Sequence, residues 1–324
     1  MNCLVFESAI YSQIIKEKNL KKINFFFAEF SNKNENEILK NNQFDIILTK
    51  IGINLNSNIL KTQKKLKFIV TATTGIDHID VEYCFKNKIE IISLKNEIKF
   101  LETISTTAEH AWTIFLCLNR EFFNSVNIVK VRQDWDRKLL KQRQVRGDKV
   151  GIIGLGRLGK MIGKYSESFG LNVYYYDIKK IKAPKNFKKK ESLDELIKEV
   201  DHLFLTANFY PGDKKIIAKN NINRLDLRTM INVSRGELVD EEFICQEISC
   251  GHLLKYGTDV LNGDSSININ NSKQFLESSP IYNLSREIDS ILITPHCAGY
   301  AYNVLQETRL FVFNKLIEKI NINL

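Results

Sequence analysis

No C-x-x-C pair occurs among the six cysteines (Cys3, Cys84, Cys117, Cys245, Cys250 and Cys297), and none stands at a zinc-like spacing from a histidine. A zinc-finger framework is thereby excluded, and the thiols are expected to be reduced and mostly buried. Long hydrophobic runs are missing too: Ala111–Leu118, already broken by Thr113, falls far short of the ~20 residues of a membrane span. No basic segment precedes Leu4-Val5-Phe6, so the N-terminus reads as a first strand rather than an export signal, and a cytoplasmic location is expected. Internal repeats and low-complexity tracts are absent. Positive charge is in excess, 47 Lys+Arg against 38 Asp+Glu, but it is scattered, with short runs only at Lys64-Lys65 and Lys188–Lys190. Nucleic-acid binders concentrate their charge, so the lysines are expected to solvate the surface and to attract small anions. What remains is an ordinary globular composition, 44% hydrophobic over 324 residues, a length that suits two domains.

The chain is organised around Lys149–Lys160. An apolar run, Val150–Ile153, leads into Gly154-x-Gly156-x-x-Gly159, and Leu158, Met161, Ile162, Tyr165 and Phe169 follow at helical spacing until Gly170. A second β-rich run, Val173–Tyr176, ends on Asp177, 23 residues beyond Gly154. Gly154 permits a tight turn, Gly156 lets a pyrophosphate approach the backbone, and Gly159 lets helix and strand pack closely. The phosphates would sit on unpaired N–H groups at the helix N-terminus. Asp177 would accept from the ribose hydroxyls. A carboxylate facing a 2′-phosphate costs from ~1 to ~4 kcal/mol per charge pair, which favours NAD over NADP, although Lys179 and Lys180 could offset part of the repulsion.

Elsewhere, short apolar runs alternate with helical patterns. Expected strands are Cys3–Phe6, Ile23–Phe27, Asp45–Leu48, Phe68–Thr71 and Ile89–Ile92, with helices such as Ser8–Lys18 and Val81–Asn87 between them. A long helix over Thr106–Arg120 precedes the glycine unit. Beyond Asp177 come a capping box at Ser192–Glu195, strands Leu203–Leu205 and Met230–Val233, a helix Asp240–Cys250, and strands Lys255–Val260 and Ile291–Thr294. Ser265–Ser272 reads as a polar loop. The last helix, Tyr302–Ile320, carries a stripe of Val304, Phe311, Val312, Leu316 and Ile320, and is expected to return to the first domain. The fold class is therefore α/β, with two doubly wound parallel sheets. Residues 1–101 with 297–324 form one domain and 102–296 the inserted dinucleotide-binding domain.

Thr74-Gly75-Ile76-Asp77-His78-Ile79-Asp80, Thr107–His110, Val150–Gly159, Ile231–Asp240, Thr258-Asp259-Val260 and Thr294-Pro295-His296, in that order, resemble the D-isomer-specific 2-hydroxyacid dehydrogenase family over nearly the whole chain. That family includes phosphoglycerate dehydrogenases and glyoxylate/hydroxypyruvate reductases. The resemblance implies a Rossmann NAD-binding domain inserted into a flavodoxin-like substrate domain, and a homodimer. Arg235 would grip the substrate carboxylate, where its planar fork suits a 2-oxo acid better than lysine would. His296 would be the acid/base, a role its near-neutral titration permits. Backbone N–H groups in the turn Thr74, Gly75 and Ile76 would hold the carboxylate's other side. Cofactor contacts would come from Gly154, Gly156, Arg157, Leu158, Gly159, Asp177, Asn208, Ser234 and Asp259, the last near the nicotinamide carboxamide. No metal site is implied.

The sequence departs from the family at two places. The glutamate that pairs with the histidine is replaced by Asp264, one methylene shorter, so contact with His296 is expected to need a backbone shift or an intervening water. Ser265–Ser279 looks like an insertion, and Glu277 is a rival carboxylate. Thr206-Ala207-Asn208 stands where the family commonly shows His-x-Pro. The leading expectation is an NAD-dependent oxidoreductase acting on a small 2-oxo or 2-hydroxy acid. An NAD(H)-binding sensor or corepressor-like scaffold is the alternative, and neither nucleic acid nor membrane is expected as a partner.

Overall fold

The computed structural model describes residues 1–18, 20–28, 35–210, 212–266 and 271–320. The chain divides into two compact units, one of Met1–Ile104, Ser265–Ser272 and Tyr300–Leu324, the other of Ser105–Asp264 and Lys273–Gly299. Among the described residues no helix is long and apolar enough to cross a membrane.

In the first unit, β1 (Asn2–Val5), β2 (Asn24–Phe27), β3 (Ile46–Thr49), β4 (Phe68–Thr71) and β5 (Glu90–Ile92) pair in parallel in the order β2-β1-β3-β4-β5. This is the flavodoxin-like winding. The inner strands are near-continuous apolar runs because helices cover both faces, and β3 is fully buried along its length. Helix Tyr302–Lys319 packs on β4, β5 and helix Ser8–Lys18. Its buried face is Leu305, Thr308, Arg309, Val312, Phe313, Leu316 and Ile317, rotated from the expected stripe, so that Val304, Phe311 and Ile320 lie at its margin. Arg309 explains the rotation. It sits on the buried face because Glu7 takes it in a bidentate pair at 2.6 and 3.0 Å, which no apolar pattern reveals.

In the second unit, β6 (Lys149–Ile153), β7 (Asn172–Tyr176), β8 (Lys188–Lys189), β9 (His202–Leu205), β10 (Thr229–Asn232), β11 (Tyr256–Thr258) and β12 (Ile291–Ile293) are all parallel. Their order, β12-β11-β10-β9-β6-β7-β8, reverses direction between β6 and β9, where open α/β sheets bind ligands beyond the strand carboxyl ends. Helix Thr106–Asn119 lies on β10, β11 and β12 through Ala108, Ala111, Trp112, Ile114, Phe115 and Leu118. Helix Arg157–Ser168 meets the sheet through Ile162, as expected, and through small residues, with Leu158, Met161 and Tyr165 at the margin. Gly159, Ile162, Gly163 and Ser166 are buried, whereas Phe169 is 45% exposed. A Cβ on Gly163 would overlap the Phe187 ring, so close approach decides this face. The stretch read as a polar insertion carries a helix at Ser272–Ser278, while its residues 267–270 lie outside the described residues.

Candidate active site

Six strand ends of the second unit deliver the candidate residues to the same edge of one parallel sheet. β6 runs into Gly154, β7 into Asp177, β9 into Thr206–Asn208, β10 into Ser234-Arg235, β11 into Asp259, and β12 into Thr294–His296.

The three glycines of the first turn do different physical work. Gly154 has φ +89°, and a Cβ there would lie 2.6 Å from Ala207 Cα. Gly159 packs so tightly that a Cβ would overlap the Gly154 carbonyl oxygen. Gly156 faces open space, with nothing within 4 Å of a would-be Cβ, at the N-cap of helix Arg157–Ser168. Close packing behind the turn and clear space in front of it, at the N-terminus of a helix, fit a dinucleotide pyrophosphate. Leu158 is half-buried. Burial lowers the pKa of Arg157, whose cation at this N-terminus also favours an anion. Asp177 accepts from the Leu155 N–H at 2.8 Å and from the Lys179 N–H at 2.8 Å, so its carboxylate braces the turn it was expected to complement. Thr206 donates to the Gly154 carbonyl at 2.7 Å, a brace in place of the family's histidine. Ser234 donates its hydroxyl to the Ala207 carbonyl, which ties the β9 and β10 loops together. Asn208 is exposed beyond β9.

His296 is held in the left-handed region at φ +50°, with its N–H donating to the Asp259 carbonyl at 2.9 Å and the Thr294 carbonyl at 3.0 Å. Such backbone strain persists only where surrounding contacts over-determine it. Asp259, 1% exposed, supplies those contacts. Its carboxylate accepts from Thr294 Oγ1 at 2.5 Å, the Cys297 N–H at 2.9 Å and the Ala298 N–H at 2.7 Å. Burial alone would raise the Asp259 pKa, but these bonds and His110 hold it below the usual carboxylate value. Where the resemblance implied a contact with the nicotinamide, the carboxylate is engaged in shaping the histidine loop.

Sequence reasoning named His110 only as the end of the Thr107–His110 motif and assigned it no role. Its Nε2 lies 2.9 Å from Thr294 Oγ1 and 3.4 Å from Asp259 Oδ1. His110, Asp259 and Cys297 bring ligand-type atoms within 4.8 Å of one another. The Asp259 oxygens already accept three loop donors, and burial with the Asp259 charge raises the Cys297 thiol pKa, so the cluster acts as a clasp on the loop.

Asp264 Oδ2 stands 3.0 Å from His296 Nδ1. Direct contact at this distance leaves no place for the bridging water and is consistent with the other expectation, that the backbone supplies the reach. The angle falls short of a well-aligned hydrogen bond, so the contact is an ion-pair one. Glu277 lies instead on helix Ser272–Ser278, 3.9 Å from Lys273. Burial depresses the His296 pKa, but the Asp264 carboxylate raises it more, against the opposing charge of Arg235, and the net shift is upward. Arg235 is half-buried, with Nη1 donating to the Ser234 carbonyl at 2.9 Å. In the first unit, the turn after β4 is set by Thr73 Oγ1, which donates to the Gly75 carbonyl at 2.7 Å. Thr74 is exposed there, with Gly75 and Ile76 half-buried.

Residues 112–298 match the model of the D-isomer specific 2-hydroxyacid dehydrogenase, NAD binding domain. The chain belongs to the D-isomer specific 2-hydroxyacid dehydrogenase family. It is 26% identical over 256 residues to a D-3-phosphoglycerate dehydrogenase of Methanocaldococcus jannaschii, covering 78% of this chain but only 45% of that protein. It is 23% identical to a hydroxypyruvate reductase of Thermotoga maritima, over 86% of each. Its fold is shared with the D-lactate dehydrogenase of Aquifex aeolicus complexed with NAD and lactic acid, at a TM-score of 0.78 and 24% identity over 98% of this chain and 96% of that one.

Proposed function

We propose that the protein interconverts a 2-oxo acid and a D-2-hydroxy acid. The observation that carries this reading is the pairing of His296 Nδ1 with Asp264 within the electrostatic reach of Arg235. With Nδ1 engaged, Nε2 is the nitrogen left to serve a substrate. In the direction of reduction, imidazolium Nε2 gives its proton to the ketone oxygen, and the neutral ring is then reprotonated from solvent. Asp264 stabilises the imidazolium. The Arg235 fork takes the substrate carboxylate and polarises the adjacent carbonyl. Gly154, Gly156, Arg157, Leu158 and Gly159 would hold the coenzyme pyrophosphate, Asp177 the adenosine ribose, and Asn208 and Ser234 the nicotinamide half. Asp259 would act there through the loop it shapes. The coenzyme these residues would hold, when bound as NADH, would supply the hydride for the substrate's C2.

An arginine and a histidine recognise only the 2-oxo acid head, so the substrate must be found by trial. NADH oxidation with glyoxylate, hydroxypyruvate, pyruvate and longer 2-oxo acids tests the proposal. Turnover on one of them is the expected result, whereas tight NADH binding without turnover on the whole panel would favour a sensor. A homodimer belongs to the same reading. Phe122, Phe123, Val131 and Trp135, which are 54%, 53%, 73% and 87% exposed, gather on helix Phe122–Lys130 and the loop after it. Light scattering at micromolar concentration should give twice the 37.5 kDa chain mass, and a monomer mass would reject the pairing.

A further inference from the structure

We infer that Glu237 and Glu241 are positioning residues that set Asp264 against His296. The inference rests on the assignment of His296 as the acid. Immediately after Arg235 the chain makes a single turn, Gly236–Leu238, pressed against the loop that carries Asp264. Gly236 has no side chain to spare there, because a Cβ would overlap the main chain of Leu261 and Asn262. At this contact two carboxylates grip consecutive amides of the loop. Glu241 Oε1 accepts from the Asn262 N–H at 3.0 Å, and Glu237 Oε1 accepts from the Gly263 N–H at 3.1 Å. Gly263 turns the chain at φ +81°, and the next residue is Asp264. Asp264 closes the loop on itself, accepting from the Leu261 N–H at 3.2 Å and donating its own N–H to the Leu261 carbonyl at 3.1 Å. Glu241 is fixed from behind by Ser279, whose hydroxyl donates to Oε2 at 2.7 Å.

Two features separate this brace from ordinary loop anchoring. An aspartate is one methylene shorter than the glutamate the family places here, so the reach to Nδ1 has to come from the backbone, which the two glutamates hold. Glu237 also keeps Oε2 buried without a hydrogen bond among the described residues. A side chain retained for stability alone would be expected to satisfy both oxygens. Because Glu237 lies two residues from Arg235 on one short turn, the group that grips the substrate and the brace of the proton donor's carboxylate share a single rigid piece of backbone.

The test is an NMR titration of the His296 imidazole in the full chain without substrate, assigned by its loss in His296→Gln, together with the pH–rate profile. Glu237→Ala should move the His296 titration to lower pH, in the direction of Asp264→Asn. It should lower kcat/KM for reduction by roughly 10- to 100-fold, the scale of a reacting group displaced by up to 1 Å. In the Asp264→Asn background it should add little. Glu237→Gln, whose amide oxygen can still accept from Gly263, should restore most of both. Glu241→Ala should act in the same direction, and it is the variant to use should Glu237→Ala fail to fold. Variants that melt earlier yet titrate as wild type would overturn the brace. If Asp264→Asn shifts the titration and neither glutamate variant does, the brace alone falls. If Asp264→Asn leaves it in place, the pairing falls with it.

Discussion

Asp264 meets His296 at Nδ1, 3.0 Å away, and the choice of nitrogen decides what the histidine can do. An imidazole held at Nδ1 by a carboxylate presents Nε2 outward and is stabilised in its charged form. Reduction draws on imidazolium, so its rate should fall as pH rises through the His296 pKa. That pKa is pulled down by burial but raised further by Asp264, so the fall-off lies on the alkaline side of an ordinary histidine. Asp264→Asn keeps the size of the side chain and removes the charge. It should bring the alkaline fall-off of kcat/KM for reduction to lower pH. The rise of the oxidation rate, which needs neutral imidazole, should move the same way. A profile whose limb stays where it is would exclude Asp264 as the partner.

Arg235→Lys separates charge from geometry. Lysine keeps the cation but loses the fork that can meet a carboxylate and the neighbouring carbonyl together. Loss of one hydrogen bond to a charged group costs about 1.5–3 kcal/mol, or roughly 10- to 100-fold in kcat/KM. The effect should appear as a higher KM for the 2-oxo acid from the lost carboxylate fork and a lower kcat from the lost polarisation of the carbonyl, with NADH affinity measured by fluorescence unchanged. Full activity in the lysine variant would show that a point charge is enough.

Much of the site was legible before any coordinates because strand–glycine–helix and strand–acid patterns are local. Gly154, Gly156, Gly159 and Asp177 announce themselves by spacing. What was not legible depends on pairs distant in sequence. The partnership of Thr294 with His110 joins residues 184 positions apart, and the clasp on the His296 loop cannot be read from either one alone. Arg309 lies on the buried face of the last helix through its pairing with Glu7, 302 positions away, which no local pattern shows. Helices of a single turn or two, such as Ser57–Leu60 and Pro280–Ser285, are too short for a period of 3.6 to show.

Two alanine substitutions in the same glycine triplet should fail in different ways. At Gly159 a Cβ would overlap the Gly154 carbonyl oxygen, so Gly159→Ala should destabilise the second unit by about 1–3 kcal/mol, the usual cost of overpacking. Gly156→Ala meets no protein atom within 4 Å, so its melting temperature should stay near wild type. The methyl would project into the space in front of the helix N-terminus, and NADH affinity should drop. Thermal unfolding alongside coenzyme titration checks both. Undiminished NADH binding by Gly156→Ala would place the pyrophosphate elsewhere.

Two histidines of the second unit, His202 buried and His296 half-buried, should act on stability with opposite signs. His202, 0% exposed on β9, sits 3.0 Å from Asp148, yet burial outweighs that carboxylate and lowers its pKa. A base with a lowered folded-state pKa is charged first in the unfolded chain. Its contribution to stability is therefore intact above the ordinary value of 6.5 and is lost as pH falls below it. His296, with its pKa raised, stabilises the fold below that value and loses its contribution as pH rises through the shifted one. The wild-type curve sums the two, so only a variant resolves them. His202→Phe keeps a ring against Phe115, which now packs edge-on at 5.0 Å, and leaves Asp148 with Arg143 at 2.8 Å. Urea unfolding at pH 7.5 and 5.5 should show a smaller loss of stability on acidification in the variant than in the wild type. Equal losses would mean that His202 takes up a proton in the folded protein as readily as in the unfolded chain, and that Asp148 fully offsets burial.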